Sequence, residues 1–368
     1  MILQRLDTKL GSEEEKQGIP LILPIFLPHR GCRHRCLFCN QRVVFSESPP
    51  PTSVERFIEA SLSVTAHTQT NRKRQVAFYG GSFTAMEPEE QVAYLRAVQP
   101  FLSRGQIDSI RISTRPDALS AEHLALLKTY EVKTVEVGVQ SMTDQILSSC
   151  DRGHSAKDTI SAISRLHSSD FEIGLHLMIG LPGDSLDLFL STLGEVIKLR
   201  PHFVRIHPTL VLKGAPLEGR WRSGNYLPLS LEEAVRWLKL GLLVLARANI
   251  RVARVGLQPS QELEDHLLAG PYHPSLCQLV QSAISLDLAV HLLRIAPKQS
   301  SILFSCHPKD VSTLRGQRNR NVQMLKERFR LEQILIRSRN DVCRGSLILE
   351  TPDGNLTTST REFVHDQN

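Results

Sequence analysis

The chain is short of the features that would settle its class by inspection. Of its 368 residues only seven are cysteine, and aromatic residues make up 5%. No apolar run reaches the roughly 20 residues that cross a bilayer, so no membrane association is expected. Met1 to Gln17 is charged and carries no apolar h-region, which argues against a secretory signal. Cys150, Cys277, Cys306 and Cys343 stand singly, without the spacing of a disulfide framework. A reducing, cytoplasmic location is therefore expected. There are no internal repeats and no low-complexity tract. The remaining composition, 41% hydrophobic and 22% charged, is ordinary and sufficient for a large core.

What the cysteines lack in number they have in placement. Cys32, Cys36 and Cys39 form a C-x3-C-x2-C run directly after the apolar stretch Leu21 to Leu27. This offers three thiolates to one metal cluster and no fourth. A fully ligated 4Fe-4S carrier uses four cysteines, so three leave one iron open to a non-protein ligand. A zinc site would recruit a fourth Cys or His, for which His29 and His34 are the nearby alternatives. Arg33 and Arg35 lie among the cysteines and favour thiolates, or else form a solvated basic loop.

Between residues 20 and 250, short apolar or β-branched runs alternate with longer segments of helical period, the pattern of repeated βα units on a parallel sheet. The expected strands are Leu21–Leu27, Gln75–Tyr79, Ile110–Ser113, Lys133–Val139, Glu172–Met178 and Phe203–Leu210. Helices are expected over Val54–Ala66, Pro88–Leu102, Ala121–Tyr130, Ala156–His167, Ser185–Lys198 and Leu231–Ala248. Six such units make an α/β fold, a partial (β/α)6 relative of the TIM barrel with a small C-terminal α/β extension. In barrels of this kind the active site lies at the C-terminal ends of the strands. The unusual residues fall there: the cysteines, Gly80-Gly81-Ser82, Ser113-Thr114-Arg115-Pro116-Asp117, Gln140-Ser141 and Gly180-Leu181-Pro182-Gly183-Asp184.

The cysteine run, with Phe38 just before its third member, resembles the signature of radical S-adenosylmethionine (SAM) enzymes. Val137-Gly138-Val139-Gln140-Ser141 followed by Arg152 is similar to a segment shared by oxygen-independent coproporphyrinogen oxidases and the elongator catalytic subunit family. Thr114-Arg115-Pro116-Asp117, His176-Leu177-Met178-Ile179-Gly180 and His207-Pro208-Thr209-Leu210 point to the elongator branch, in particular its bacterial elongator-like members without an acetyltransferase domain. The resemblance covers residues 20 to 290. It implies a 4Fe-4S cluster on Cys32, Cys36 and Cys39, with SAM on the open iron, cleaved by one electron to a 5′-deoxyadenosyl radical that takes hydrogen from a substrate. It also implies SAM contacts from Phe38, Asn40, Gly80, Gly81, Ser82, Ser113, Gln140, Arg152 and His176, and an electron donor of flavodoxin or ferredoxin type. Ser113 stands where the relatives place a glutamate.

Five segments are expected: an extension over 1–19, the partial barrel over 20–250, an elongator-like extension over 251–290, a basic α/β segment over 291–350 and a frayed polar tail over 351–368. Within the extension, Ile250 to Pro259 reads as a further strand leading into a polar loop. In the basic segment, strands are expected over Ser301–Phe304, Ile334–Arg337 and Ser346–Leu349, with a helix over Asn319–Phe329. Residues 291 to 344 hold twelve Lys or Arg against four Asp or Glu. Arg315, Arg318, Arg320, Lys326 and Arg328, with Arg330, Arg337 and Arg339, form a candidate phosphate footprint for tRNA. Few aromatics are interleaved for base stacking. A tetrapyrrole or other small molecule is the alternative substrate, and a non-catalytic iron-sulfur protein the alternative class.

Overall fold

The computed structural model describes residues 20–33, 35–41, 48–65 and 72–366. The extension over 1–19 and His34 lie outside the described residues. Seven strands form one curled parallel sheet in sequence order: β1 (Leu21–Leu27), β2 (Arg74–Gly80), β3 (Ser109–Thr114), β4 (Val132–Gln140), β5 (Glu172–Ile179), β6 (Phe203–Pro208) and β7 (Arg251–Val255). The sheet is thus a half-barrel one strand wider than the six-unit reading. Arg251–Val255, expected as a strand of the following extension, pairs in parallel with β6.

Alternation along each strand decides the two faces. Leu23, Ile25 and Leu27, then Val76 and Phe78, Ile110 and Ile112, Val135 and Val137, Ile173 and Leu175, and Val204 and Ile206 are buried in one continuous core with the helices. The other face lines the lumen and is largely polar. The helices lie close to their expected ranges, and Ala156–His167 coincides with its own. The segment expected as one helix over Pro88–Leu102 is instead two, Pro88–Arg96 and Gln99–Ser103, with Pro100 in the first turn of the second. A proline has no N–H to continue the preceding ladder.

A 20-residue helix, Leu276–Ile295, contradicts the expectation that no segment is long and apolar enough to cross a membrane; by length and composition it qualifies. Its apolar residues Val280, Ile284, Leu288, Ala289 and Leu292 belong to the shared core. It packs between the helix Leu231–Arg247 on one side and the C-terminal unit on the other. That unit is a four-stranded sheet of β8 (Ser301–Cys306), β9 (Gln333–Ser338), β10 (Ser346–Thr351) and β11 (Gly354–Ser359), ordered β9-β8-β10-β11. The frayed tail expected over 351–368 is overturned for its described part. Gly354–Ser359 pairs antiparallel with β10, and the helix Thr360–Asp366 buries Phe363 edge-on to His291. Its polar composition hid a single aromatic anchor.

Candidate active site at the mouth of the half-barrel

The cysteine loop is fixed at Leu37 by two backbone hydrogen bonds. The Leu37 N–H donates to the Cys150 carbonyl at 2.9 Å, and the Leu37 carbonyl accepts from the Leu217 N–H at 2.8 Å. Asn40 Nδ2 donates to the Lys213 carbonyl at 2.8 Å. Phe38 packs among Ile146, Cys150, Met178 and Leu181. These contacts tie the loop to β5 and to the segments that follow β4, β5 and β6.

The glycines after β2 hold the other flank of the loop. The Ser82 N–H donates to the Arg30 carbonyl at 2.8 Å. A Cβ on Gly81 would lie 2.0 Å from the Arg30 oxygen, and one on Gly31 would lie 2.3 Å from the Ser82 oxygen. Glycine is therefore required at both positions by the close approach of two backbones. Gln41 donates to the Gly80 carbonyl, while its own N–H donates to His29 Nε2 at 3.1 Å. That hydrogen bond engages one of the two His29 ring nitrogens through which a zinc ion could be held. Ser82 is buried, with its hydroxyl 3.7 Å from Cys32 Sγ.

Arg152 approaches from the other side. Its Nη1 donates to Cys36 Sγ at 3.0 Å and its Nη2 to the Gly138 carbonyl at 2.6 Å. A Cβ on Gly138 would meet Arg152 Nη2 at 2.7 Å and Gln140 Nε2 at 3.0 Å, so the missing side chain makes room for both. Pairing between β4 and β5 shifts register between Gly138 and Gln140, and Gln140 takes a left-handed φ of 67°. Burial pushes up the pKa of Cys32 and, with repulsion from Cys36 and Cys32, that of Cys39 to about 12. Arg152 opposes both rises, and Arg115 opposes the first. Three thiols within electrostatic reach of one another and two guanidiniums make a donor set that fits an anionic iron-sulfur cluster.

Among the described residues no three His, Cys, Asp or Glu side chains are arranged to hold a single metal ion. A cubane spreads its thiolates wider than a mononuclear ion does. More telling are the buried polar atoms without a partner on, or just past, the C-terminal parts of the half-barrel strands. They are Gln140 Oε1, Arg152 Nε, Arg115 Nη1, His154 Nδ1, His176 Nε2 and His207 Nε2. Buried polar groups are normally satisfied, so six orphans in one mouth point to a polar ligand. His176 and His207 meet edge-on with ring centroids 4.3 Å apart. Burial, reinforced by Arg205, holds His176 down to about 3 and His207 well below its usual range, so both are neutral.

The sequence-predicted residues divide accordingly. Cys32, Cys36, Cys39, Ser82, Gln140, Arg152 and His176 surround the mouth. Phe38, Asn40, Gly80 and Gly81 brace the cysteine loop. Ser113 is half-buried on β3 in register with Glu136, whose carboxylate is engaged by Arg111, Arg205 and Tyr79 and so does not replace the family's glutamate. Sequence reading gave no role to Arg115 and His154, although Arg115 sits inside the Thr114–Asp117 segment that carried the resemblance. It also missed the ion network beneath them, in which Arg111, Arg205 and Tyr79 meet on Glu136.

The basic residues of the C-terminal unit lie apart from the cysteines in the fold. Arg315, Arg318, Arg320, Arg328 and Arg330 are exposed and make no ion pair among the described residues. Arg337 and Arg339 are neutralised by Glu350 and Asp341, and Lys326 donates to the Glu332 carbonyl.

Comparison with known proteins agrees with this geometry. The radical SAM superfamily matches residues 26–196 and the radical SAM C-terminal domain residues 201–285. The chain belongs to the radical SAM superfamily. Members of this superfamily are enzymes, and relatives of both the elongator and the porphyrin branches are found. The tRNA uridine(34) acetyltransferase of Methanocaldococcus infernus is 29% identical over 50% of this chain and 38% of its own length. The heme chaperone HemW of Bacillus subtilis is 27% identical over 55% of each. The chain thus spans about half the length, or less, of these curated relatives. Among solved structures, Elp3 of Methanocaldococcus infernus lacking its N-terminus superposes with a TM-score of 0.60 at 24% identity, over 73% of this chain and 64% of that one. That likeness supports the half-barrel fold.

Proposed function

We propose that Cys32, Cys36 and Cys39 hold a 4Fe-4S cluster, that SAM occupies the adjoining mouth, and that the substrate is an RNA, with tRNA the first choice. The observation that carries this reading is the convergence of six unpartnered buried polar atoms on a mouth already holding three thiols. Together the bound cluster and SAM supply a 5′-deoxyadenosyl radical. The chain's own residues hold, orient and exclude. Arg152 offsets negative charge at Cys36 and leaves its Nε for a ligand oxygen. Gln140, raised by its left-handed backbone, offers an amide oxygen to an ammonium group. The neutral imidazoles of His176 and His207 line the inner wall without adding charge next to a reacting centre. Positioning of this kind supplies much of the rate in such reactions. The exposed arginines of the C-terminal unit supply a footprint for phosphates, and the name of the archaeal tRNA relative favours tRNA over other RNA. An electron donor of flavodoxin or ferredoxin type completes the proposed partners.

A small-molecule substrate is the second reading, supported by the similarity to the heme chaperone. Anaerobic reconstitution with iron, sulfide, SAM and dithionite separates the two. Release of 5′-deoxyadenosine that rises on addition of tRNA supports the first, and release raised only by a porphyrin supports the second. A protein that binds zinc, or a cluster whose spectrum is indifferent to SAM, overturns both.

A further inference from the structure

Cys150 is distant from the cysteine loop in sequence, and the fold sets it beside Cys36. The Leu37 N–H, bonded to the Cys36 carbonyl carbon, donates to the Cys150 carbonyl at 2.9 Å. No cis peptide occurs among the described residues, so that N–H lies on the same side of its C–N bond as the Cys36 Cα. For a near-linear hydrogen bond, standard backbone dimensions then put the Cys150 oxygen about 3.6 Å from the Cys36 Cα. The Cys150 Cα is about 2.4 Å from its own oxygen, so the two Cα atoms are no more than about 6 Å apart. Disulfide-linked Cα atoms usually lie about 4.4–6.8 Å apart.

The sulfurs are brought together as well. Arg152, two residues after Cys150, donates from Nη1 to Cys36 Sγ at 3.0 Å, which holds the Cys36 thiol toward the segment that carries Cys150. Burial, with repulsion from Cys36, pushes the Cys150 thiol up to about 11, so the two sulfurs are within electrostatic reach of each other. Both residues are buried, Cys150 at 1% exposure and Cys36 at 6%. Cys150 packs with Ile146, Met178, Leu181 and Phe38, and its thiol has no task in holding a cluster on Cys32, Cys36 and Cys39.

We propose that Cys150 is the resolving thiol of Cys36: when the loop carries no cluster, hydrogen peroxide joins the two in a reversible disulfide. The Cys36 thiol takes one peroxide oxygen to become a sulfenic acid, releasing water. The Cys150 sulfur then displaces the sulfenic hydroxyl, which leaves with the Cys150 proton as a second water, and the S–S bond forms. Two thiols lose two electrons in all, and one peroxide is reduced to two waters. A neutral sulfenic acid at Cys36 also removes the repulsion that holds the proton on Cys150. Burial of the pair favours a small neutral oxidant over a bulky one such as oxidised glutathione. The bond shields Cys36 from irreversible oxidation and holds back cluster assembly until it is reduced; this role rests on the loop holding a cluster, as proposed above, whereas the bond itself does not.

The test treats the full chain, freed of iron by a chelator, with hydrogen peroxide, alkylates the remaining thiols and maps tryptic peptides without reduction. Trypsin leaves Cys32 in residues 31–33, Cys36 and Cys39 in 36–42, and Cys150 in 134–152. A cross-link between 36–42 and 134–152 is expected, with fragmentation placing it on Cys36. A link from Cys39, bonds confined to Cys32, Cys36 and Cys39, or no bond at all overturns the proposal. Cys150→Ser keeps the backbone carbonyl that holds Leu37. Dithiothreitol should restore iron uptake to the peroxide-treated parent and severalfold less to this variant, in which Cys36 goes on to the sulfinic acid. Equal recovery in the two overturns the protective role. The cross-link is read on the iron-free chain, so its absence leaves the cluster proposal standing, and a chain that never takes up iron can still form it.

Discussion

The floor of the half-barrel and its mouth are built from the same kinds of residue and reach opposite ends. On the floor, Glu136 is buried and accepts from Arg111 at 2.8 Å, Arg205 at 2.9 Å and Tyr79 at 2.8 Å. Arg111 also donates to Gln75 at 2.6 Å and pairs with Glu172 at 3.7 Å, while Thr134 donates to Glu172 at 2.6 Å. Arg205 and Glu136 lie on strands separated by β5, and they meet across Gly174, where a Cβ would strike the Phe203 ring at 2.3 Å. No side-chain atom of this group is both buried and unpartnered; the mouth one layer above has six such atoms. A saturated polar floor closes the lumen without asking for a ligand. An unsaturated mouth is held open on top of it.

The largest effect should come from breaking the floor. Glu136→Leu leaves two buried guanidiniums without their shared counter-charge, and removing one partner of such a group costs about 3–5 kcal/mol. Burial opposes the charged carboxylate, yet Arg205 and Arg111 hold Glu136 down to about 2, which identifies it as the hub. Denaturant unfolding of the ligand-free chain should show this loss. A change below about 1 kcal/mol would mean that the network is a bystander.

Next in size is Gly81→Ala, which attacks the joint between the cysteine loop and β2. Its Cβ cannot share space with the Arg30 oxygen 2.0 Å away, so the loops must part. Overpacking of this kind costs about 1–3 kcal/mol. Far-ultraviolet circular dichroism should be retained while iron bound per chain falls severalfold. Full iron loading in the variant would show that the joint does not position the cysteines.

The same contrast explains what was legible in the sequence. Cys32, Cys36 and Cys39 announce themselves through spacing, and the strand runs through period-two burial of residues such as Leu23, Ile25 and Leu27. The floor is silent because Glu136, Arg111 and Arg205 are single charges on three strands, far apart in sequence, and only closure of the sheet makes them one network. Gly81 was visible as a glycine but its reason was not: the contact that demands it is made by Arg30, 51 positions earlier. The edge strand β7 was seen as a strand, yet its partner β6 could not be read from a local pattern.

The two histidines sharpen the comparison through pH. His176 titrates near 3 in the folded chain and near its ordinary 6.5 when unfolded, with His207 shifted the same way. The unfolded chain then binds more protons below 6.5, so this contribution to stability is complete above 6.5 and is lost as pH falls toward 3. His176→Gln with His207→Gln should flatten the acid side of the stability profile by up to two protons. An unchanged slope would show that the pair is protonated in the folded state, and the mouth would then carry charge.

The smallest effect on folding should come from Gln140→Asn, and it is the most discriminating. Asparagine tolerates the left-handed φ of 67° better than glutamine, so the ligand-free chain should change by no more than about 0.5 kcal/mol and in the stabilising direction. The shorter side chain withdraws an oxygen that has no partner in the protein, so the fold loses no hydrogen bond. Any ligand that used that oxygen does lose one. Ligand stabilisation follows RT ln(1 + [L]/Kd), so a tenfold weaker affinity removes about 1.4 kcal/mol of the shift at saturating SAM. Thermal melts with and without SAM should therefore move in opposite directions relative to the parent. If both rise together, Gln140 serves the backbone bend alone, and the unsaturated mouth has one fewer contact for its ligand than its geometry offers.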